Sequence, residues 1–489
     1  MLSFLSNIRS STNYKLWAAG VVAIGTLFTV ADTGEVNIAL PTIADEFNTN
    51  LPTVQWLATA YMVATSALVL PMGRLSDMIG RKKVYIWGLA IFIFGAVLGS
   101  FAPNLISLIF IRLLQGAGLG MVVGNQMAIL TAIFSTHERG KALGLHTTMV
   151  GLGLVIGPAI GGTLIDYFGW RAVFAANVGF GIIYFLPNLL VLDEKRITQI
   201  SIGGVPDKFD WLGAVLSSTT LVLFLIGITN PFDWSIMYRS VLLLICALSM
   251  TMFVIWQTRT PSPILDISLF KGRLFSLSVI ARSIFFISQA SVLFLMPFYI
   301  QGVAGFSAGE SGLVMTTMAV GMVIAGPISG RLSDKFGWRL FNVTGAALSI
   351  GGTLALSQLT PDSSVGLVLL GIMLQGAGVG IFIAPNSNAI MSTVSPDKFG
   401  VISAFQQLLR TSFFVAGIAV ATVVVAQTMS GNGYESNLKL IADNAGATAA
   451  FVSGLRTVYL SVACLQIFTL ILSVISGHAE NTKVSDHHR

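Results

Sequence analysis

Residues 73–83 read GRLSDMIGRKK, and residues 330–339 read GRLSDKFGWR. A second pair repeats the pattern: LLQGAGLG begins at Leu113 and MLQGAGVG at Met373. Gly330 follows Gly73 by 257 positions and Met373 follows Leu113 by 260, so the two pairs keep nearly the same spacing. Two motifs repeated in register mark two copies of one unit running in the same direction.

The chain around these motifs is strongly apolar. Of its 489 residues, 54% are hydrophobic and 10% charged, and the mean hydropathy is +0.82, which excludes an ordinary soluble domain. The apolar residues come in runs of about 20, the length that spans a bilayer as a helix. Their lack of alternation excludes barrel strands, because every backbone amide must be bonded inside the membrane. The expected fold is therefore all-α, with fourteen runs from about 16–42 to about 452–477. Two parallel six-helix units occupy 1–193 and 272–489, and 194–271 is a central linker with two additional spans. An even number of spans places both termini on one side. Connections on that side would carry Arg74, Arg81, Lys82, Lys83, Arg139, Lys141, Arg331, Lys335, Arg339 and further cations, whereas the other side has few. The positive-inside bias makes it the cytoplasmic side of a plasma (inner) membrane. The net charge of +6 is explained in this way and does not indicate nucleic acid. Cys246 and Cys464 fall within apolar runs and read as packing residues.

Several motifs together resemble the major facilitator superfamily, specifically its fourteen-helix drug:proton antiporters, over essentially the whole chain. The GRLSD stretches resemble the superfamily's loop between helices 2 and 3 and its counterpart in the second half. Arg112, Gln115 and Gly116 resemble the fourth-helix motif, and GLGLVIGPAIGG at 151–162 the fifth-helix motif associated with exporters. TVADTGEVNIALP at 29–41 resembles the branch's first-helix motif through Asp32, Asn37 and Pro41, and FDWLGA at 209–214 its entry to the extra helices. The resemblance implies a multidrug exporter and a role for Arg112 in proton coupling.

Physical chemistry gives these motifs separate meanings. The GRLSD turns, with Gly73, Arg74, Asp77, Gly80 and Arg81 in one half and Gly330, Arg331, Asp334 and Gly337 in the other, read as charged hinges. Asp77 near Arg81 can hold one conformer by charge-assisted bonds, and a plain solvated loop is the alternative. Gly157 and Pro158, among the glycines of the fifth span, give a smooth, kinked surface that another helix can approach. Asp32 and Glu35 are three apart, on one helical face and separated by about 4.5 Å of rise. Desolvation and mutual repulsion favour one of them holding a proton. Arg112 lies too deep for a loop cation, with Asp32 or Glu35 as its candidate partner. Glu35 departs from the branch, where this position is commonly apolar. So does Arg410, where a glycine-rich stretch is typical.

Arg282 and Arg410, inside the ninth and thirteenth spans, either attract a carboxylate, sulfonate or phosphate or pair internally with Asp32 or Glu35. Asn125, Gln126, Gln289, Asn386, Asn388 and Gln407 are further polar residues that could line a central cavity, and His146 is placed at its mouth. No GxxxxGK phosphate loop, catalytic cluster or metal-ligand set occurs, so no cofactor and no enzymatic activity are expected. The leading expectation is a proton-coupled antiporter exporting amphipathic organic compounds by alternating access. A carrier of one organic anion, importing or exporting, and a lipid or fatty-acid exporter are the alternatives. The expected partners are a small-molecule substrate, protons and the bilayer. The protein is expected to be a monomer, and the sequence identifies no adaptor protein.

Overall fold

The computed structural model describes residues 14–134, 139–199, 210–229, 234–261, 263, 265–394 and 399–476. Within them the chain forms fourteen long helices: α1 Tyr14–Glu46, α2 Trp56–Ile79, α3 Arg81–Ser100, α4 Leu105–Ile133, α5 Arg139–Phe168, α6 Arg171–Val191, α7 Trp211–Thr229, α8 Ile236–Arg259, α9 Arg273–Gly302, α10 Ala308–Phe336, α11 Trp338–Leu356, α12 Val365–Met391, α13 Phe399–Gly431 and α14 Ala445–Ser476. Thirteen carry a stretch long and apolar enough to cross a membrane; α11, interrupted by Arg339, Asn342 and several small residues, is the other. Large apolar side chains such as Phe94, Phe110, Ile183, Leu244 and Phe468 are exposed around the bundle, as expected for a surface facing lipid.

The LQGAG motif explains how each half is built. Added Cβ atoms on Gly116 and Gly120, one turn apart, would strike the backbone of α2 at Tyr61 and Thr65, and one on Gly118 would lie 2.6 Å from the Gly88 carbonyl of α3. Helix α4 therefore packs backbone to backbone against two neighbours at once, which only a side-chain-free residue permits. The second half repeats the contacts: Gly376 meets Met318, Gly380 meets Met322 and Gly378 meets Gly345. The sequence repeat is thus a repeat of helix-packing geometry, α2–α3–α4 against α10–α11–α12.

The GRLSD turns also match. Gly80 and Gly337 connect α2 to α3 and α10 to α11 with φ of +111° and +80°, backbone that side-chain-bearing residues rarely adopt. The side chains of Arg74, Asp77 and Asp334 lie outside the described residues. Beside the first turn, Glu194 Oε2 accepts the Lys82 amide at 3.0 Å, while Arg81 Nη1 reaches the Ala128 carbonyl of α4 at 3.2 Å. The short helix Glu194–Gln199 thereby packs with the first bundle. Arg331, in the second turn, is exposed.

The inserted hairpin α7–α8 leans on α2 and α13 through α7, with Ser218 donating to the Ala67 carbonyl at 2.6 Å. Asp210 fastens the hairpin. Its carboxylate accepts from the Gly213 amide at 2.8 Å and from Trp256 Nε1 and Gln257 Nε2, each at 2.7 Å. This is the physical content of FDWLGA: one buried anion holds the start of α7 to the end of α8. Because bonds to a charged group contribute about 1.5–3 kcal/mol each, Asp210→Ala is expected to lower the thermal midpoint in detergent by several degrees. Asp210→Asn, which keeps an acceptor, should lose less. Cys246 is buried beside α7, whereas Cys464 is exposed on α14, contrary to its reading as a packing residue.

Candidate functional site

Helix α1 carries its two carboxylates into the first bundle. Asp32 is 0% and Glu35 2% exposed. Arg112 of α4, 1% exposed, places Nη1 at 3.1 and 3.3 Å from the two Asp32 oxygens. The same nitrogen donates to Gln115 Oε1 at 3.0 Å, Nε to the Leu57 carbonyl at 3.3 Å, and the guanidinium lies 3.9 Å above the Tyr61 ring. One nitrogen serving both Asp32 oxygens is a weaker union than a two-nitrogen fork, although Nε and Nη1 are both engaged and the ring of Tyr61 covers one face of the cation.

Asn177 of α6 completes the cluster. Its Nδ2 is 3.1 Å from Asp32 Oδ1 and 3.1 Å from Glu35 Oε2, so each amide hydrogen reaches one carboxylate. The sequence reading missed Asn177. A lone asparagine in the apolar run AANVGF was the available signal, because a buried amide in a bilayer also needs a partner, though at lower cost than a charge.

The second bundle has a polar cluster at the matching place, built without charge. Gln375, at the repeat position of Gln115, accepts from Ser349 Oγ at 2.6 Å and donates to Ser288 Oγ at 3.2 Å; Gln466 Nε2 reaches Ser288 at 2.5 Å and Ser349 at 2.6 Å. Ile372 stands where the first half has Arg112. The repeat therefore preserves buried hydrogen bonding at this level but confines the ionisable version to one half.

Between the bundles lies a cavity of about 1110 Å³, counting its open mouth. Helices α1, α2, α4 and α5 line it from one half and α9, α10 and α13 from the other. Of the residues expected there, Gln126, Gln289, Gln407 and Arg410 line it, and so do His146 and, beyond its expected packing role, Pro158. Others do not. Asn125, adjacent to Gln126 and therefore about 100° around the helix, points into the bundle and donates to the Met121 carbonyl at 2.8 Å. Asn388 is exposed. Asn386 turns away to hold Ser278 and Arg282.

The two arginines part company. Arg282, 7% exposed, is clamped by Ser387 Oγ at 2.7 Å and by Asn386 Oδ1 and the Ile383 carbonyl at 3.4 Å, behind the cavity wall. Arg410 faces the cavity. Neither makes an ion pair with Asp32 or Glu35 among the described residues, so the structure does not show the internal-pair alternative; Arg112 already occupies Asp32.

The halves close on each other from mid-bundle to the end opposite the GRLSD turns. Helix α5 is the seam. Gly153, Gly157 and Gly161 lie against α1 at Leu27, Ala31 and Glu35, while its other face meets α10, where Gly312 packs on the Pro158 carbonyl and Gly162 on Ala308 and Gly309. Thr316 Oγ1 donates to the Val155 carbonyl at 3.2 Å, and at the end Asp166 accepts from Ser307 Oγ and the Gly309 amide at 2.8 and 2.9 Å. Ser66 of α2 bonds Thr411 of α13, and Gln301 of α9 reaches the Ile38 carbonyl at 3.1 Å. The 428–451 stretch ties in as well, through Leu51 N to the Ser436 carbonyl at 3.0 Å and Lys439 to Asp45 at 3.6 Å. The sequence reading did not single out Asp166, at the end of the fifth span, and nothing there indicated that its partners lie in the other half.

Comparison with known proteins agrees with this architecture. The sequence model of the Major Facilitator Superfamily matches residues 22–418. The chain is 30% identical over 471 residues to the riboflavin transporter RibZ of Clostridioides difficile (strain 630), covering 95% of this chain and 98% of that protein. It is also 30% identical over 430 residues to the multidrug transporter protein MdtP of Bacillus subtilis (strain 168), covering 87% and 78%. Among solved structures, an inward-facing, unoccupied bacterial homologue of the human lysosomal transporter Spinster superposes with a TM-score of 0.69 at 16% identity, over 96% of this chain and 98% of that one. With its repeated halves, central cavity and matching sequence, the chain belongs to the major facilitator superfamily.

Proposed function

We propose that this chain is a proton-coupled antiporter that exports amphipathic organic compounds by alternating access, in a plasma membrane with both termini and the GRLSD turns cytoplasmic. The buried cluster of Asp32, Glu35, Arg112 and Asn177 carries this reading. Two carboxylates face one cation where water is excluded, and a single proton balances the remaining charge. Uptake and release of that proton change the net charge of the cluster by one, which a coupled carrier requires.

The cluster's position links it to movement. Glu35 lies against Gly161 of α5, and the next residue, Gly162, lies against Ala308 and Gly309 of the other half. A change in charge on α1 is thus one helix away from the seam that must part when the cavity opens to the outside. On this reading the described conformation is closed outward, the GRLSD turns act as cytoplasmic hinges, and Asp32 and Glu35 carry the proton while Arg112 tunes their balance. The cavity's mixture of amides, hydroxyls and methionines suits organic molecules of some size. The relatives named as riboflavin and multidrug transporters support a small organic cargo.

The test is the purified protein in liposomes enclosing a pH-sensitive dye, with uncharged riboflavin and its anionic phosphate ester as probes. An imposed pH gradient is expected to drive probe accumulation at least tenfold over the no-gradient control, accompanied by a matching proton flux. Transport of either probe at the same rate with and without the gradient would remove proton coupling from the proposal.

A further inference from the structure

The cavity lining is uneven along its axis. Toward the GRLSD end stand His146, Gln126, Gln407 and Arg410; deeper, toward the closed seam, stand Met62, Leu119, Leu293, Met315, Met318 and Phe414. Among the described lining residues there is no Asp or Glu. Arg410 has no hydrogen bond or ion pair with any described residue. A second cation, Arg282, lies within electrostatic reach from α9, and His146, facing it from α5, supplies no counter-charge. The carboxylates of α1 do not compensate for this, because they sit behind the lining with Arg112 and Asn177. A half-buried guanidinium at the polar end of the cavity, beside a second arginine and without a counter-charge among the described residues, is electrostatically incomplete.

We infer that the cargo supplies the missing charge: the cavity takes an amphipathic organic anion, with its carboxylate, sulfonate or phosphate against the Arg410 guanidinium and its apolar body among the deeper methionines and Phe414. Resting on the transporter reading above, this assigns a substrate class to that site. Gln407, one turn before Arg410 on α13, and Gln126 across the cavity donate amide hydrogens to the same anionic group. Arg282 stays in its clamp and raises the local potential without touching cargo. A cationic drug of the same shape would meet two arginines and no carboxylate.

The experiment uses full-length protein in neutral detergent and two xanthene dyes with a similar tricyclic body, the anion carboxyfluorescein and the cation tetramethylrhodamine ethyl ester, read by fluorescence anisotropy. Wild type is expected to bind the anion more tightly, Arg410→Ala to weaken it by roughly 10–100-fold as for loss of a charge-assisted bond, and Arg410→Lys to fall between. Arg410→Lys keeps the charge and bulk, so it also guards against a misfolded alanine variant. Displacement by phosphatidylglycerol, lost in Arg410→Ala, would identify a lipid headgroup as the anion, and its failure a small molecule; either agrees with the proposal. It is overturned if carboxyfluorescein does not bind, if the cationic dye binds wild type more tightly, or if both Arg410 variants bind like wild type. Binding is read without a gradient, so failure here leaves the liposome test of proton coupling standing, and the reverse also holds.

Discussion

In liposomes, Glu35→Gln is expected to lose tenfold or more of the accumulation driven by a pH gradient while retaining exchange of labelled for unlabelled cargo. Glutamine keeps the shape and an acceptor for Asn177 but cannot release a proton, so the cavity can still turn over while the gradient has nothing to act on. Asp32→Asn should lose the gradient drive and also stability. It leaves the Arg112 charge buried with its Asp32 partner removed, and breaking a buried pair from one side costs about 3–5 kcal/mol. The two variants therefore separate coupling from folding: Glu35→Gln should melt close to wild type and Asp32→Asn well below it. Full gradient-driven accumulation by both would place the coupling group elsewhere.

The second large effect is expected at the seam. Gly312 packs its backbone on the Pro158 carbonyl and Gly157 on Ala31, with no room for a methyl group at either contact. Gly312→Val forces α5 and α10 apart while leaving the α1–α5 contact untouched. Overpacking of this kind costs about 1–3 kcal/mol, a factor of roughly 5–150 in the ratio of closed to open conformers. In an otherwise cysteine-free protein, an Asn37→Cys probe in the cavity should then react at least five times faster with a membrane-impermeant thiol reagent added from the side opposite the GRLSD turns. Gly157→Val, which disturbs the contact within one half, should instead show mainly as lost stability. Equal labelling rates in Gly312→Val and its parent would show that this seam does not limit access.

The architecture was legible in the sequence because helix packing writes itself into glycine spacing: residues that need no room for a side chain recur wherever two backbones touch. The Asp32–Arg112 pair was legible too, since a charge deep in an apolar run needs a partner and few were on offer. The division between Arg282 and Arg410 was not. Helix α9 is buried on most of its circumference, so hydrophobic periodicity leaves no mark of which face looks into the cavity. Arg282 is fixed by Ser387 and Asn386, about a hundred residues later in the chain, and such pairings arise only when the bundle closes. Asn125 and Gln126 make the same point at one-residue resolution: both are polar, and only their angle around α4 decides that one lines the cavity.

The cluster of Asp32, Glu35, Arg112 and Asn177 touches the cavity lining at Tyr61, whose ring lies under Arg112, while Asp32 and Glu35 themselves stand behind the wall that Thr29, Thr33 and Asn37 of the same helix present to the cavity. On the proton-coupled reading proposed above, substitutions that reshape the wall away from Tyr61 can therefore accumulate without disturbing the coupling carboxylates, and the converse holds as well. A lineage built this way can exchange one cargo for another in small steps, each intermediate remaining an active pump, and relatives with divergent substrates need not have reinvented how they are driven.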